Sequence, residues 1–547
     1  MEKSQLINCL FGVLVFFGLQ SCYKGKEVDL VIHNAKIYCL DEEMHVEEAM
    51  AIRDGIIVEI GPERQILNKY SSEEVIDAAG KAIYPGLTDS HGHLLSLLQQ
   101  KLNLNLVGST SFEAVLEKVK QYAIGKKRKF IMGRGWDQSL WANNNFPDNK
   151  LLNELYPDIP VLLFRVDGHA ALANDFLLKK AGLNPDSKIE GGEVQSKEGQ
   201  MTGILLDNAI EEVSKLIPEY STREKQDALL EIQEELFQLG ITEVHEAGIH
   251  YPDIELFKSL YDWGNFDLQI YAMLYPTEEN FNFVRKNGIY KHKGLLIRSF
   301  KVVGDGSLGS RGACLKSPYS DAPHTHGFLT TSIQRMKEVA DFALEHGYQM
   351  NTHAIGDSTN KILIDLISKI HQQKPDHRWR IEHAQVLSPE DIISMGKVGV
   401  FPSVQPCHAV SDQRWAKDRL GEQRMVGAYA YQSILKNCGM IALGTDFPVE
   451  SFDPFQNIHA AVQRTNVGEE HAKGFLVQEK LSLDDCMKGL TIWSACASFQ
   501  EHQKGSIEKG KDASFVILEK PIATQTKFRN NFAYQTYIKG KKVYSAE

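Results

Sequence analysis

The chain has 547 residues, 43% hydrophobic and 24% charged, enough to bury a sizeable core in two or three domains or in one large barrel with an appended domain. A formal net charge of −11, with no Lys/Arg run long enough for a basic stripe, argues against a nucleic-acid partner. Eight dispersed cysteines without a CxxC pair make neither a disulfide framework nor a thiolate metal site.

Residues 1–22 read as an export signal. A polar start carrying Lys3 leads into "CLFGVLVFFGL", an apolar run too short to span a bilayer comfortably, and "LQSC" closes it. The ending resembles a bacterial lipobox, with Cys22 as the lipid-modified first residue of the mature chain. The expectation is a protein exported to the bacterial cell envelope and touching membrane only through its N-terminal lipid anchor.

Residues 23–80 hold Val- and Ile-rich runs separated by turn residues ("VDLVIHNAKIYCL", "EEAMAIRDGIIVEIG"). Residues 500–547 close in the same style ("GSIEKGKDASFVILE", "YQTYIKGKKVY"). The two ends predict one small β-sandwich domain assembled from both termini.

Between them, residues 81–499 alternate strands and helices. Eight segments share one form, an apolar run ending in polar residues: 81–93, 240–248, 267–274, 297–306, 348–357, 378–385, 399–406 and 440–449. Amphipathic stretches such as "SIQRMKEVADFALEHG" separate most of them. This α/β pattern predicts a (β/α)8 TIM barrel, whose C-terminal strand ends converge on one face. The gap after the first strand is too long for one crossover. Residues 95–236 therefore form an insertion, expected to contribute to the substrate pocket.

The strand ends carry the chemistry. His91 and His93 are two residues apart, so on an extended strand they point to one side. His353 closes the fifth strand, His383 the sixth and Asp446 the eighth. Imidazole and carboxylate ligands suit zinc, or with less preference iron, manganese or cobalt. Lys301 lies in "SFKVVGDG", where its neighbours want burial. It either snorkels to solvent, pairs with a carboxylate, or is a desolvated amine of lowered pKa. Carbon dioxide converts such an amine to a carbamate, an anionic ligand able to bridge two ions.

Together "PGLTDSHGH", "SFKVVGDGSLGSRGA", "NTHAIGD", "RIEHAQ", "GTDFPV" and "GSIEKGKDASFVIL" resemble the amidohydrolase superfamily. "GRGWDQ" and "RVDGHAALAN" are similar to its YtcJ-like branch, amidohydrolase family 3. The resemblance implies one or two divalent ions, zinc first. His91 and His93 would bind the first ion, Lys301 as N6-carboxylysine would bridge, and His353 with His383 would hold the second. Asp446 would bind the first ion and act as general base. The implied reaction is attack of metal-bound hydroxide on a C–N bond in a small-molecule amide, formamide or cyclic amide.

Trp136 and His169 look like pocket residues by the same resemblance, while the residues alone allow core packing or a structural hydrogen bond. His245 ends the second strand and Gln405 the seventh, which puts both on the functional face of a barrel. Arg464 either neutralises an acidic group of the substrate or sits in a surface salt bridge. "DGSLGSRGA" lacks the ending of a phosphate loop and is read as a mobile loop over the site. Deamination of an aminated ring and a non-catalytic small-molecule-binding surface lipoprotein are the competing readings, and a homo-oligomer is left open.

Overall fold

The computed structural model describes residues 25–124, 128–469, 473–524 and 532–546. Cys22 and the lipobox lie outside the described residues. Among the described residues no helix is long and apolar enough to cross a membrane.

Eight parallel strands form a nearly closed barrel: β1 (Leu87–Gly92), β2 (Ile241–Ile249), β3 (Gln269–Leu274), β4 (Leu295–Val303), β5 (Gln349–Ala354), β6 (Arg380–His383), β7 (Phe401–Val404) and β8 (Ala442–Leu443). Their order in the sheet is their order in the chain, as successive crossovers to the neighbouring strand require. The mixed α/β architecture is that of a TIM barrel. Its helices follow from local signals. Thr222–Gln238, leading into β2, starts with a capping box of Ser221 and Glu224. Ile333–His346, leading into β5, is capped by Ser332, buries Met336, Val339, Ala340 and Ala343 on one face, and stops at Gly347 in the left-handed region.

The barrel closes between β1 and β8 without a regular ladder. The Asp446 amide donates to the His91 carbonyl at 2.7 Å and the His93 amide to the Phe447 carbonyl at 2.8 Å. Buried Asp89 accepts from the Thr445 amide at 3.1 Å and hydroxyl at 2.6 Å. Gly444 makes this seam possible, because a Cβ there would lie 2.5 Å from the His91 nitrogen. The barrel interior is polar. Glu243, for example, holds Lys504 at 2.7 Å and Gln500 at 2.8 Å.

The 81–93 segment is split. Ala82–Pro85 joins a six-stranded sheet with Lys36–Tyr38, Val46–Glu47, Phe515–Leu518, Gln535–Ile538 and Lys541–Ser545, and only Leu87–Gly92 enters the barrel. Pro85 has no amide to give the first ladder, the Gly86 amide makes its last bond to the Ser514 carbonyl at 3.0 Å, and the Leu87 amide turns to the Gly240 carbonyl beside β2 at 3.0 Å. A four-stranded sheet (Leu30–His33, Ala49–Arg53, Ile56–Gly61, Glu74–Asp77) packs on the six-stranded one through Ile32, Ile37, Met50, Ile83, Phe515 and Tyr537.

After β1 a separate six-stranded mixed sheet intervenes, built from Leu104–Asn105, Ile131–Trp136, Val161–Arg165, Ala170–Ala173, Gly192–Lys197 and Gln200–Asp207. Its loops reach the C-terminal face of the barrel, where they wall a cavity of about 390 Å3. That size suits a small molecule.

Candidate metal centre

The cavity floor is made by the strand ends. His91, His383 and Asp446, all buried, bring one ligand atom each to within 4.8 Å of one another. Asp446 Oδ1 lies 3.2 Å from His93 Nε2 and 3.5 Å from His91 Nε2. The His353 and His383 rings are 4.5 Å apart, and His383 is 4.9 Å from His91. Lys301 Nζ stands 3.3 Å from His91 Nε2. Six side chains from five strand ends thus face one small volume.

Electrostatics follows from burial. Lys301 is pushed down to about 8 and His91 to about 4, in both cases by burial first. His353 and His383 are held well below the usual imidazole range by the same desolvation. Burial would raise Asp446, but hydrogen bonding from the His408 and His93 rings, with His91 and His383 close by, outweighs it and holds the carboxyl well below its usual range. The donor set is neutral imidazoles around a carboxylate, which is the form a divalent ion binds.

The surroundings fit an ion as well. His91 Nδ1 is taken by Glu382 Oε2 at 2.5 Å, which leaves Nε2 for the cluster, and metal-binding histidines are oriented in this way. Glu382 is paired with Arg380, Nη2 to Oε2 at 2.9 Å, both fully buried. His383 Nδ1 is buried with no hydrogen-bond partner among the described residues.

A model of the amidohydrolase family matches residues 74–544. The chain belongs to the amidohydrolase family. It is 30% identical to the protein LONG AFTER FAR-RED 3 of Arabidopsis thaliana, covering 95% of this chain and 92% of that one. It is also 30% identical to the putative amidohydrolase YtcJ of Bacillus subtilis, over 89% and 93%. N-substituted formamide deformylase of Arthrobacter pascens is more distant, at 23% over 94% and 97%. A crystal structure of an uncharacterized metal-dependent hydrolase from Pyrococcus horikoshii superposes with a TM-score of 0.75 at 27% identity, covering 92% of this chain and 99% of that one. The chain is a metal-dependent hydrolase of this family.

In this amidohydrolase, four residues expected at the pocket on sequence grounds stand elsewhere. Trp136 is 1% exposed, packs against Trp141 and Phe146, and donates to the Leu163 carbonyl at 2.7 Å. His245 lies under the cluster, fully buried, its Nδ1 2.9 Å from Arg380 Nη1. Gln405 turns back on its own strand and donates to the Ser403 carbonyl at 3.3 Å. Arg464 is buried, not at the surface, and holds the carbonyls of Phe475 at 2.9 Å and Tyr429 at 3.1 Å with Tyr431 beneath it. Its Nη1 has no partner among the described residues, but the side chain is not part of the cavity wall, so position keeps it from a substrate there. His169 does line the cavity, with Nδ1 2.5 Å from Asp207 and its ring 5.0 Å from His353.

The loop after β4 is packed down. Asp305 accepts from the amides of Cys314, Ile355 and Gly356 and from the Thr359 hydroxyl, all at 2.8–3.0 Å. Ser307 donates to Asp167 at 2.6 Å.

Three further residues escaped the sequence reading. Glu382 and Arg380 alternate along a wholly buried strand, so two opposite charges there had to face each other inside the barrel. His408 falls on the helix Pro406–Asp412 and reaches the cavity, its Nε2 3.4 Å from Asp446 Oδ2. Burial lowers its pKa, but Asp446 outweighs that and lifts it to about 9. A histidine four positions past the strand end, on a first helical turn, is the signal that would have found it.

Proposed function

We propose that this enzyme hydrolyses a C–N bond in an amide, formamide or cyclic amide, with Asp446 as general base. The observation that carries the reading is the carboxylate of Asp446, ionised and held between His93 Nε2 at 3.2 Å and His408 Nε2 at 3.4 Å at the floor of a small-molecule cavity. A bound divalent ion, zinc first, supplies Lewis acidity and brings a water's pKa to about 7. His91, His93, Lys301, His353, His383 and Asp446 would hold one or two such ions, with Lys301 as the bridging N6-carboxylysine. Its buried amine has the lowered pKa that addition of carbon dioxide needs. Asp446 takes the proton of the attacking water and delivers it to the departing nitrogen. His408 stands with Nε2 3.4 Å from the second oxygen of that carboxylate, a positive charge beside it that favours its ionised form. The similarity to N-substituted formamide deformylase supports an acyl or formyl nitrogen as the target.

The test is a screen of N-acyl, N-formyl and cyclic amides with the metal-loaded protein, reading amine release against ammonia release. Ammonia from aminated rings with no amine from any amide would move the assignment to deamination. Asp446→Asn retaining full hydrolysis at normal metal content would remove the general base. We also propose that the enzyme works at the cell envelope, tethered through Cys22. Labelled fatty acid should enter the wild type and not Cys22→Ala, and equal labelling of both would refute it.

A further inference from the structure

Three arginines line the cavity among the described residues, and two are spoken for. Arg165 is closed by Asp137 at 2.7 Å, Gln138 at 2.7 Å and Asp167. Arg414, at the rim, reaches Asp137 at 3.4 Å. Arg134 is different. It makes no ion pair among the described residues, and its one hydrogen bond there runs from Nη2 to the Val166 carbonyl at 3.2 Å. Its Nε is buried without a partner. A guanidinium presents five N–H donors in a planar fork, and on this half-buried side chain one hydrogen bond within the protein leaves most of them open to the cavity and to a ligand.

The backbone is shaped to present this side chain. Ile131 belongs to the apolar core of the inserted sheet, and strict alternation would put Arg134 and Trp136 together on the opposite face. A bulge between Arg134 and Trp136 breaks the alternation. Gly135 adopts φ +116° there, and a Cβ on it would lie 2.5 Å from the Val107 side chain and 2.7 Å from its amide nitrogen. The extra residue returns Trp136 to the core and leaves Arg134 facing the cavity. Across from it, Gly168 leaves the guanidinium room, since a Cβ would come within 3.0 Å of Nη2.

The remaining acids of the cavity are already engaged. Asp137 and Asp167 close on Arg165, Asp412 accepts from the Tyr429 hydroxyl at 2.8 Å, and Glu450 accepts from Ser411 at 2.5 Å. They leave the fork of Arg134 open, yet they repel a multiply charged anion such as phosphate. A planar monoanion with two oxygens matches what is left.

We propose that the substrate of this site carries a carboxylate bound by Arg134, as an N-acyl or N-formyl amino acid would, while the bond to be cut lies at Asp446. The inference rests on the amide-hydrolase reading of the site and names its substrate class. Calorimetry on the metal-loaded protein with phenylacetate and phenylacetamide, a pair equal in shape and unequal in charge, tests it directly. Wild type should bind the acid 10- to 100-fold more tightly, the range of a charge-assisted hydrogen bond. Arg134→Gln should abolish the preference and Arg134→Lys should keep part of it, with the amide's affinity unchanged in both. Equal affinity for the two probes in wild type, including no binding of either, overturns the proposal. So does an acid preference that survives Arg134→Gln, which would put the carboxylate on the metal. Because binding is read without turnover, failure of every amide to be hydrolysed would sink the hydrolase assignment while leaving a lost preference in Arg134→Gln intact.

Discussion

Replacing Glu382 with glutamine removes one negative charge from the barrel interior and changes almost nothing in volume. In the wild type that carboxylate accepts from Arg380 at 2.9 Å and holds His91 Nδ1 at 2.5 Å, with all three side chains out of contact with water. At about 2.9 Å and an effective dielectric of about 20, the Arg380 attraction alone is about 6 kcal/mol. Burying the carboxylate consumes much of it, and breaking such a pair from one side leaves a net loss of about 3–5 kcal/mol. The residual partners of Arg380, the Ser90 carbonyl at 2.6 Å and the Ser403 hydroxyl at 2.8 Å, do not replace a counter-charge. The variant should therefore lose about 3–5 kcal/mol in urea unfolding of the metal-free protein, and metal affinity by chelator competition should fall about 10- to 100-fold. The pH dependence has a definite sign. Burial would raise the Glu382 carboxyl, but Arg380, His91 and Lys301 outweigh it and hold it below the usual carboxylate range. Its contribution is thus fully present above the unfolded value of about 4.3 and is lost as pH falls toward the folded one. The gap between wild type and variant should be flat from about pH 5 upward and close only in acid. A variant with unchanged unfolding and unchanged metal affinity would refute the reasoning, and a gap that grows in acid would refute its electrostatic basis.

Arg464→Met should destabilise the fold by about 2–4 kcal/mol, since two buried carbonyls lose a charged donor, yet leave kcat/KM of the folded protein unchanged. A large rise in KM at normal stability would return Arg464 to the pocket. Gly444→Ala forces a methyl against the His91 backbone and should cost about 1–3 kcal/mol together with weaker metal retention, both measurable on one purified sample. Chelation should abolish hydrolysis and lower Tm. Zinc at a hundredfold excess over its Kd should restore activity and about 2.7 kcal/mol of stability, and activity that persists without metal would contradict the site.

The sequence made the barrel legible because each strand ended in a change of chemistry, apolar run to polar tip, that periodicity exposes. The segments carrying all eight strands could be marked in advance. The same logic found His91, His93, His353, His383 and Asp446, whose placement depends only on being at a strand end, while Lys301 was marked by a cation among neighbours that want burial. It failed where direction matters more than position. Trp136 and Arg134 are two residues apart, and a single bulge decides which of them sees the cavity. Gln405 sits at the right height but folds back on its own strand, and His408 arrives from the following helix. Arg464 was a matter of partners, and backbone carbonyls leave no mark in a one-letter code. Glu382 was readable in principle, since a carboxylate and a guanidinium on one buried face must pair.

The seam at β1 and β8 sets a timetable for making this enzyme. Asp89 and Thr445 meet across it although 356 residues separate them in the chain. His91 and His93 leave the ribosome early, while the aspartate opposite them arrives only when most of the protein has been made. Contacts of such separation form late and slowly. Until the last strand docks, the nascent chain offers a histidine pair without its carboxylate, a weak trap for passing ions. Ring closure and acquisition of a tight metal site become one event, so that capture of the ion reports a finished barrel.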